Sequence, residues 1–430
     1  MNHKFKNFTK SKFVKNVFIM ASGAAGAQAV TMALSPIVTR MYGPEAFGIM
    51  GTFSALTSII VPIAALCYPI AIVLPKSEKD AKGLIKLSLL ITTMITAFTL
   101  IILAFFHNDI VVLFQLEEIA SYLYLIPLII IFAGTVQVTE QWLIRTNQFT
   151  INANVKFLQS IVTNGSKVGI GTFYPTATVL VVLQVLGNGI KTLMIVMLAR
   201  KSNYKSAKSS HEEGDSLKEL ANKHRDFPIY RAPQVLITAV SESLPILLLT
   251  SFFGPASAGF YSIGRTVLGL PSNLIGQSIG DVFYPRITEA ANNGENVSHL
   301  IKKATFSLGA IGIIPFGLII IFGPWLFELV FGSEWGRAGE YARWISLTSF
   351  MVLINKPSVR AMPVLNAQSI HLIYTFILVI IRTLGLIIGF AVFNSDIIAI
   401  ALFGISSVIM NIFLFLITLK ICKRREFNRV

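Results

Sequence analysis

The chain predicts an all-α integral membrane protein with about 12 transmembrane helices, arranged as two parallel lobes of about six helices each around a central cavity. Three observations carry that prediction. The sequence is 54% hydrophobic and 13% charged, against roughly 25% charged in soluble domains. Apolar runs close to the roughly 20 residues needed to cross a bilayer recur from end to end. The chain also repeats itself about its midpoint.

Taken in order, the runs are 17–38, 47–74, 84–106, 122–138, 155–173 and 177–199, then 229–253, 258–283, 300–322, 341–359, 372–393 and 397–419. The fourth and tenth are the shortest and have polar flanks. Residues 200–228 form a basic connection holding Lys201, Lys205, Lys208, Glu212 and Glu213, a composition too polar to bury a core and typical of a linker. This divides the chain into an N-terminal lobe (1–199), a cytoplasmic linker (200–228) and a C-terminal lobe (229–430).

A net charge of +15 admits a nucleic-acid partner, but the placement of the bases argues against one. Lys and Arg gather in alternate loops, at both termini and at 76–86, Arg145, Lys156, 200–231, Arg286, Lys302, Lys303, Lys356 and Arg360. The opposite loops hold Arg40, Arg337 and Arg343. By the positive-inside rule both termini are cytoplasmic. Ala25-Gly26-Ala27 imitates a cleavage site, but the apolar run 17–20 before it is too short for a signal peptide, so the segment reads as an uncleaved first span. Cys67 and Cys422 are too few for a disulfide framework, and no metal-ligand spacing appears, so neither metal nor cofactor is expected.

The repeat is legible in residues. Thr39-Arg40-Met41-Tyr42-Gly43-Pro44 with Gly48 matches Thr250-Ser251-Phe252-Phe253-Gly254-Pro255 with Gly259 at one constant offset. Leu84-Ile85-Lys86 matches Leu300-Ile301-Lys302, and Asn147-Gln148 matches Asn366-Ala367-Gln368 with small shifts. An even number of spans per repeat gives both halves the same orientation. Each Gly-Pro pair predicts a compact external corner, because Pro presets the backbone and Gly tolerates positive φ.

On three stretches the chain resembles the oligosaccharide flippases of the polysaccharide-export branch of the multidrug/oligosaccharidyl-lipid/polysaccharide (MOP) superfamily. They are Pro36-Ile37-Val38-Thr39-Arg40-Met41-Tyr42-Gly43-Pro44-Glu45-Ala46-Phe47-Gly48, Phe227-Pro228-Ile229-Tyr230-Arg231-Ala232-Pro233-Gln234, and Phe252-Phe253-Gly254-Pro255-Ala256-Ser257-Ala258-Gly259-Phe260-Tyr261. Arg265, Pro271 and Val282-Phe283-Tyr284-Pro285-Arg286 follow the third. The resemblance implies a MATE-like fold in the bacterial inner membrane that carries undecaprenyl-pyrophosphate-linked O-antigen or capsule repeat units by alternating access. It also implies membrane lipids, a coupling H+ or Na+, and a polysaccharide polymerase with other assembly proteins as partners. No nucleic acid and no enzymatic activity are implied.

Charges inside spans are the candidate site residues, since each costs about 2.5 to 3.5 kcal/mol at a helix centre. Lys167, Lys191, Arg265 and Arg382 are the intramembrane bases. Lys191 lies toward the cytoplasmic edge and reads as a snorkelling side chain. Lys167 and Arg382 fall at near-equivalent places in spans five and eleven, where they either bind the pyrophosphate or acidic sugars of the cargo or serve packing. Glu242 lies at the calculated depth of Arg265, so Arg265 either pairs with it or contacts the cargo, and Glu242 is also the first candidate for ion coupling, with Asp281 second. Arg40 either anchors at the headgroup level or lines the cavity mouth. Arg231 and Pro233 open span seven, and Pro245 within it is a candidate gating hinge. Trp142, Trp325, Trp335 and Trp344 lie near span ends and read as an interfacial belt.

Two other functions stand beside the flippase. A cation-coupled drug exporter of the same superfamily would favour acidic rather than basic buried residues. A membrane polymerase or glycosyltransferase would need clustered acidic residues or His, and the six His are scattered.

Overall fold

The computed structural model describes residues 12–114, 116–201, 214–293, 295–365 and 367–427, with the backbone alone at 12–18, 113–114, 270–282, 284–285, 292 and 424–427. Every regular element among the described residues is helical. The chain forms two compact units, Met1–Leu247 and Leu248–Val430.

The first unit opens with α1 (Lys12–Ile60), which is two helices joined at Gly43, where φ 68° and ψ 170° break the ladder. Short 3-10 turns at Val61–Ile63 and Tyr68–Val73 follow. Next come α2 (Glu78–Phe114), a 3-10 stretch at Glu117–Leu125, α3 (Ile126–Arg145), α4 (Phe149–Gly171) and α5 (Ala177–Lys201). A small helix α6 (Leu217–Lys223) and a π-helical turn (Phe227–Arg231) lead into α7 (Ala232–Phe253), whose last residues belong to the second unit. That unit contains α8 (Pro255–Asn292), α9 (Val297–Phe331), α10 (Gly336–Ile354), α11 (Lys356–Val364), α12 (Gln368–Ala391) and α13 (Asp396–Phe427).

Among the described residues, eight helical stretches are long and apolar enough to cross a membrane, the first being Ile19–Ile63 with its break at Gly43. Helix α4 falls outside that set because it carries Asn152, Lys156, Gln159, Ser160, Asn164 and Lys167. Those groups are used inside the first unit. Ser160 Oγ donates to the Ala27 carbonyl at 2.8 Å, and Asn164 Nδ2 donates to Thr31 Oγ1 at 3.1 Å, so polar contacts join α4 to α1. Such interhelical bonds matter in lipid, where apolar surface gains little by leaving one hydrocarbon phase for another.

Close approach supplies the rest of the packing. A Cβ on Gly23 would collide with Ala153, and Gly323 and Gly339 meet backbone to backbone between α9 and α10. The outer faces are apolar and uncovered, as at Met94, Phe98 and Phe105 on α2 and Phe306, Ile314 and Ile321 on α9. These rows meet the acyl chains.

Two sequence expectations need correction here. The polar connection buries apolar surface after all: Leu220 is fully buried against Tyr68, Ala71, Ile72, Leu84 and Val138. Composition concealed this because one leucine on a short helix suffices once Gly83 leaves room for it. Ser216 and Glu219 close a capping box on α6, and the backbone N–H of Ser216 bound to Glu219 holds its carboxyl below the usual carboxylate range. The linker residues 202–213 lie outside the described residues. Trp335 is no belt residue, being 1% exposed and edge-on to Phe260 at 6.1 Å, whereas Trp325 is 60% exposed.

Candidate functional site: intramembrane charges

The two Gly-Pro corners are equivalent in backbone as well as in sequence. Gly43 has φ 68° and ψ 170°, and Gly254 has φ 84° and ψ 173°, a region that only glycine occupies cheaply. The aromatic residue before each glycine docks within its own unit. Tyr42 donates to the Lys167 carbonyl of α4 at 2.8 Å and lies over Gly171, where a Cβ would strike its hydroxyl. Phe252 stacks on Phe390 of α12 at 4.3 Å, and Phe253 meets the same ring edge-on at 5.6 Å. Each corner is therefore pinned to the helix that carries a deep base, Lys167 in one case and Arg382 in the other.

Lys167 Nζ lies 3.7 Å from the Met50 thioether, and among the described residues it forms no ion pair. A thioether is a weak acceptor that satisfies little of an ammonium's demand. Arg382 donates through Nε to Ser407 Oγ on α13, and its guanidinium lies 5.2 Å from the centre of the Phe403 ring. Tyr261 from α8 packs edge-on to that ring at 6.4 Å. Arg382 Nη2 and the Tyr374 hydroxyl are both buried without a hydrogen-bond partner among the described residues. Phenols and a ring face soften the field around the guanidinium without neutralising it. An anion that reached either base would meet unused donor capacity.

Of the other two intramembrane bases, Lys191 behaves otherwise. Lys191 is not a snorkelling side chain: its ammonium lies 3.2 Å from Glu140 on α3, and Lys156 of α4 approaches the same carboxylate at 3.8 Å. Glu140 escaped the sequence reading because it follows an apolar run close to the basic loop, where solvation is the default. Its helical register with Val136 and Leu143, both buried, turns it toward α4 and α5.

A second ionic cluster closes one end of the second unit. Asp396, 5% exposed at the start of α13, accepts from Arg337 Nη2 at 2.6 Å and Nε at 3.1 Å, from the Tyr341 hydroxyl at 2.5 Å and from Ser257 Oγ at 3.3 Å. Four charge-assisted contacts on one carboxylate tie α8, α10 and α13 together. Arg343 donates to the Ile321 carbonyl at 3.0 Å, so two of the three bases in the sparsely charged loops are held structurally.

Arg40 is exposed on α1 and has an interaction partner. Glu242 lies on α7 in the first unit and Arg265 on α8 in the second, and neither is without a partner. The side chain of Asp281 lies outside the described residues, as does that of Pro271. Arg231 closes the π-helical turn and donates to Gln234 at 2.9 Å, next to Pro233 in the first turn of α7. Helix α7 is assigned continuously through Pro245. Arg145, which sequence reading treated only as a loop charge, donates to five backbone carbonyls.

This arrangement of helices is shared with solved transporters of the MOP superfamily. A multidrug resistance MATE-family transporter of that superfamily, solved inward-facing, superposes with a TM-score of 0.76 at 12% identity over 92% of this chain and 96% of the other. The lipid II flippase MurJ in an inward closed conformation gives 0.70 at 15% identity over 94% and 87%. A MOP-superfamily transporter from Pyrococcus furiosus gives 0.60 at 15% identity over 96% and 95%. Sequence comparison with curated proteins gives no significant match. A family model described as polysaccharide biosynthesis protein matches residues 37–340, and the chain belongs to that family. It is a multi-pass membrane protein with the fold of those transporters.

Proposed function

We propose that this protein flips undecaprenyl-pyrophosphate-linked oligosaccharide repeat units across the bacterial inner membrane by alternating access, for O-antigen, capsule or exopolysaccharide assembly. The observation that carries the reading is the pair of deep bases on equivalent helices, Lys167 and Arg382, neither ion-paired to a carboxylate among the described residues. A buried charge without a counter-ion is costly. A diphosphate supplies that counter-ion during transport, bidentately at Arg382 and as a point-charge contact at Lys167. Arg265 and Arg40 are the further candidate contacts for the cargo. Two deep bases without a carboxylate partner among the described residues favour an anionic cargo over the cationic compounds of a drug exporter.

In this reading both termini are cytoplasmic, and a polymerase consumes the delivered units. Coupling to H+ or Na+ falls to Glu242, with Asp281 second. Arg231, Pro233 and Pro245 serve the entry and bending of α7. The test is uptake or inversion of lipid-linked oligosaccharide in reconstituted vesicles. Arg382→Ala and Lys167→Ala each lower the rate at least about tenfold, the loss expected from one charge-assisted contact. Full activity in both variants at equal membrane abundance removes them from the site. Gradient dependence that survives Glu242→Gln removes the coupling assignment.

A further inference from the structure

The second membrane span of the first unit does not finish as an α-helix. After Ile60 the chain continues as a 3-10 turn at Val61–Ile63, a run of hydrogen-bonded turns and a second 3-10 segment at Tyr68–Val73. Between them Leu66 and Cys67 take φ values of 48° and 61°. The left-handed region is unfavourable for any residue with a Cβ, and two in succession persist only where the surroundings over-determine them.

Three groups from other elements do so. Gln137 of α3 donates to the Val61 carbonyl at 2.7 Å. Arg145, the last residue of α3, spreads Nη1 over the carbonyls of Ile72, Val73 and Pro75 at 3.1, 3.4 and 2.6 Å, and Nη2 over those of Lys76 and Ser77 at 3.4 Å each. The carbonyls left open at the end of a 3-10 helix are thus collected by one planar fork. On another side Tyr68 donates to the Ala221 carbonyl of α6 at 3.1 Å, and Leu220 buries against Tyr68, Ala71 and Ile72. The π-helical turn that leads from α6 into α7 also packs on the 3-10 segment. Unwound backbone at membrane depth is tolerated only where neighbours satisfy it, and interruptions of this kind mark hinges.

We infer that the unwound stretch Val61–Leu74 is a hinge of the transport cycle, that Arg145 is its positioning residue, and that α6 is a strap coupling the hinge to the chain entering α7. The inference rests on the transporter class alone and needs no particular cargo. A fork that reaches carbonyls on either side of Pro75 holds the stretch in one shape. Release of the fork or of the Tyr68 contact lets the strained pair relax, and the bend changes.

Cys67 reports on this directly, being 4% exposed at the strained turn. With Cys422 changed to Ser it is the remaining thiol of the two in the chain. A membrane-permeant maleimide then measures how often the hinge opens in purified protein in vesicles. Arg145→Lys keeps the charge and loses the fork, and Tyr68→Phe loses the strap contact. Each raises the labelling rate roughly tenfold, the effect of losing one or two hydrogen bonds. Leu66→Gly removes the penalty of positive φ at one position and lowers the rate below that of the parent. Equal rates in the parent and all three variants, each giving a monodisperse gel-filtration peak, overturn the hinge. Parental labelling in Arg145→Lys alone overturns the positioning role, since charge would then suffice. Because labelling involves no sugar, the cargo assignment and the hinge fail separately.

Discussion

Asp396 shows how much one buried side chain decides in the second unit. Its carboxylate collects Arg337, Tyr341 and Ser257, while the Arg337 side chain stays 52% exposed. The hydrogen bonds that Arg337 donates to Asp396 raise its guanidinium further above its usual value. Breaking a buried pair costs about 3 to 5 kcal/mol, and the exposure of Arg337 reduces that to roughly 2 kcal/mol for Asp396→Asn. Detergent-solubilised Asp396→Asn protein therefore melts several degrees below the parent. Identical melting curves would show that the clamp adds no stability. Sequence inspection picked out Arg337 as a rare base in a sparsely charged loop. It offered no route to Asp396, because a carboxylate at a span end normally reads as solvated.

At the scale of elements, the Gly-Pro corners were legible because their demand is local. Positive φ with extended ψ calls for glycine, and a proline after it starts the next helix. Gly254 has open space where a Cβ would be, so substitution there is penalised by backbone conformation alone. Gly43→Ala and Gly254→Ala should each cost about 1 to 3 kcal/mol, read as a matching drop in thermal stability. A pair of variants of very different severity would contradict the equivalence of the two corners. Other elements were illegible for an equally physical reason. The unwinding after Ile60 lies within a run whose hydropathy is uniformly apolar, where Pro62 and Pro69 are its local signal, and Arg145, which collects its carbonyls, is distant in sequence. The docking of α6 depends on Leu220 finding the surface opened by Gly83, a match no local pattern encodes.

For the whole molecule, hydropathy, basic-loop asymmetry and duplication led to a multi-pass helical membrane protein before any fold comparison, because the bilayer imposes its thickness and its charge rule on the chain directly. The same reasoning yields the orientation. A fluorescent protein fused after Val430 should fluoresce, and alkaline phosphatase fused there should be inactive, since the first folds in the cytoplasm and the second requires an oxidising compartment. The opposite pattern would reverse the membrane topology. By itself, then, the sequence determined the helical membrane class, the repeat and the short roll of deep charges. Only tertiary structure decided their partners: Lys191 is neutralised by Glu140, Arg337 by Asp396, while Lys167 and Arg382 have no acidic counter-ion among the described residues. Solvation by lipid acts on each residue where it stands, but neutralisation depends on which distant helix comes alongside.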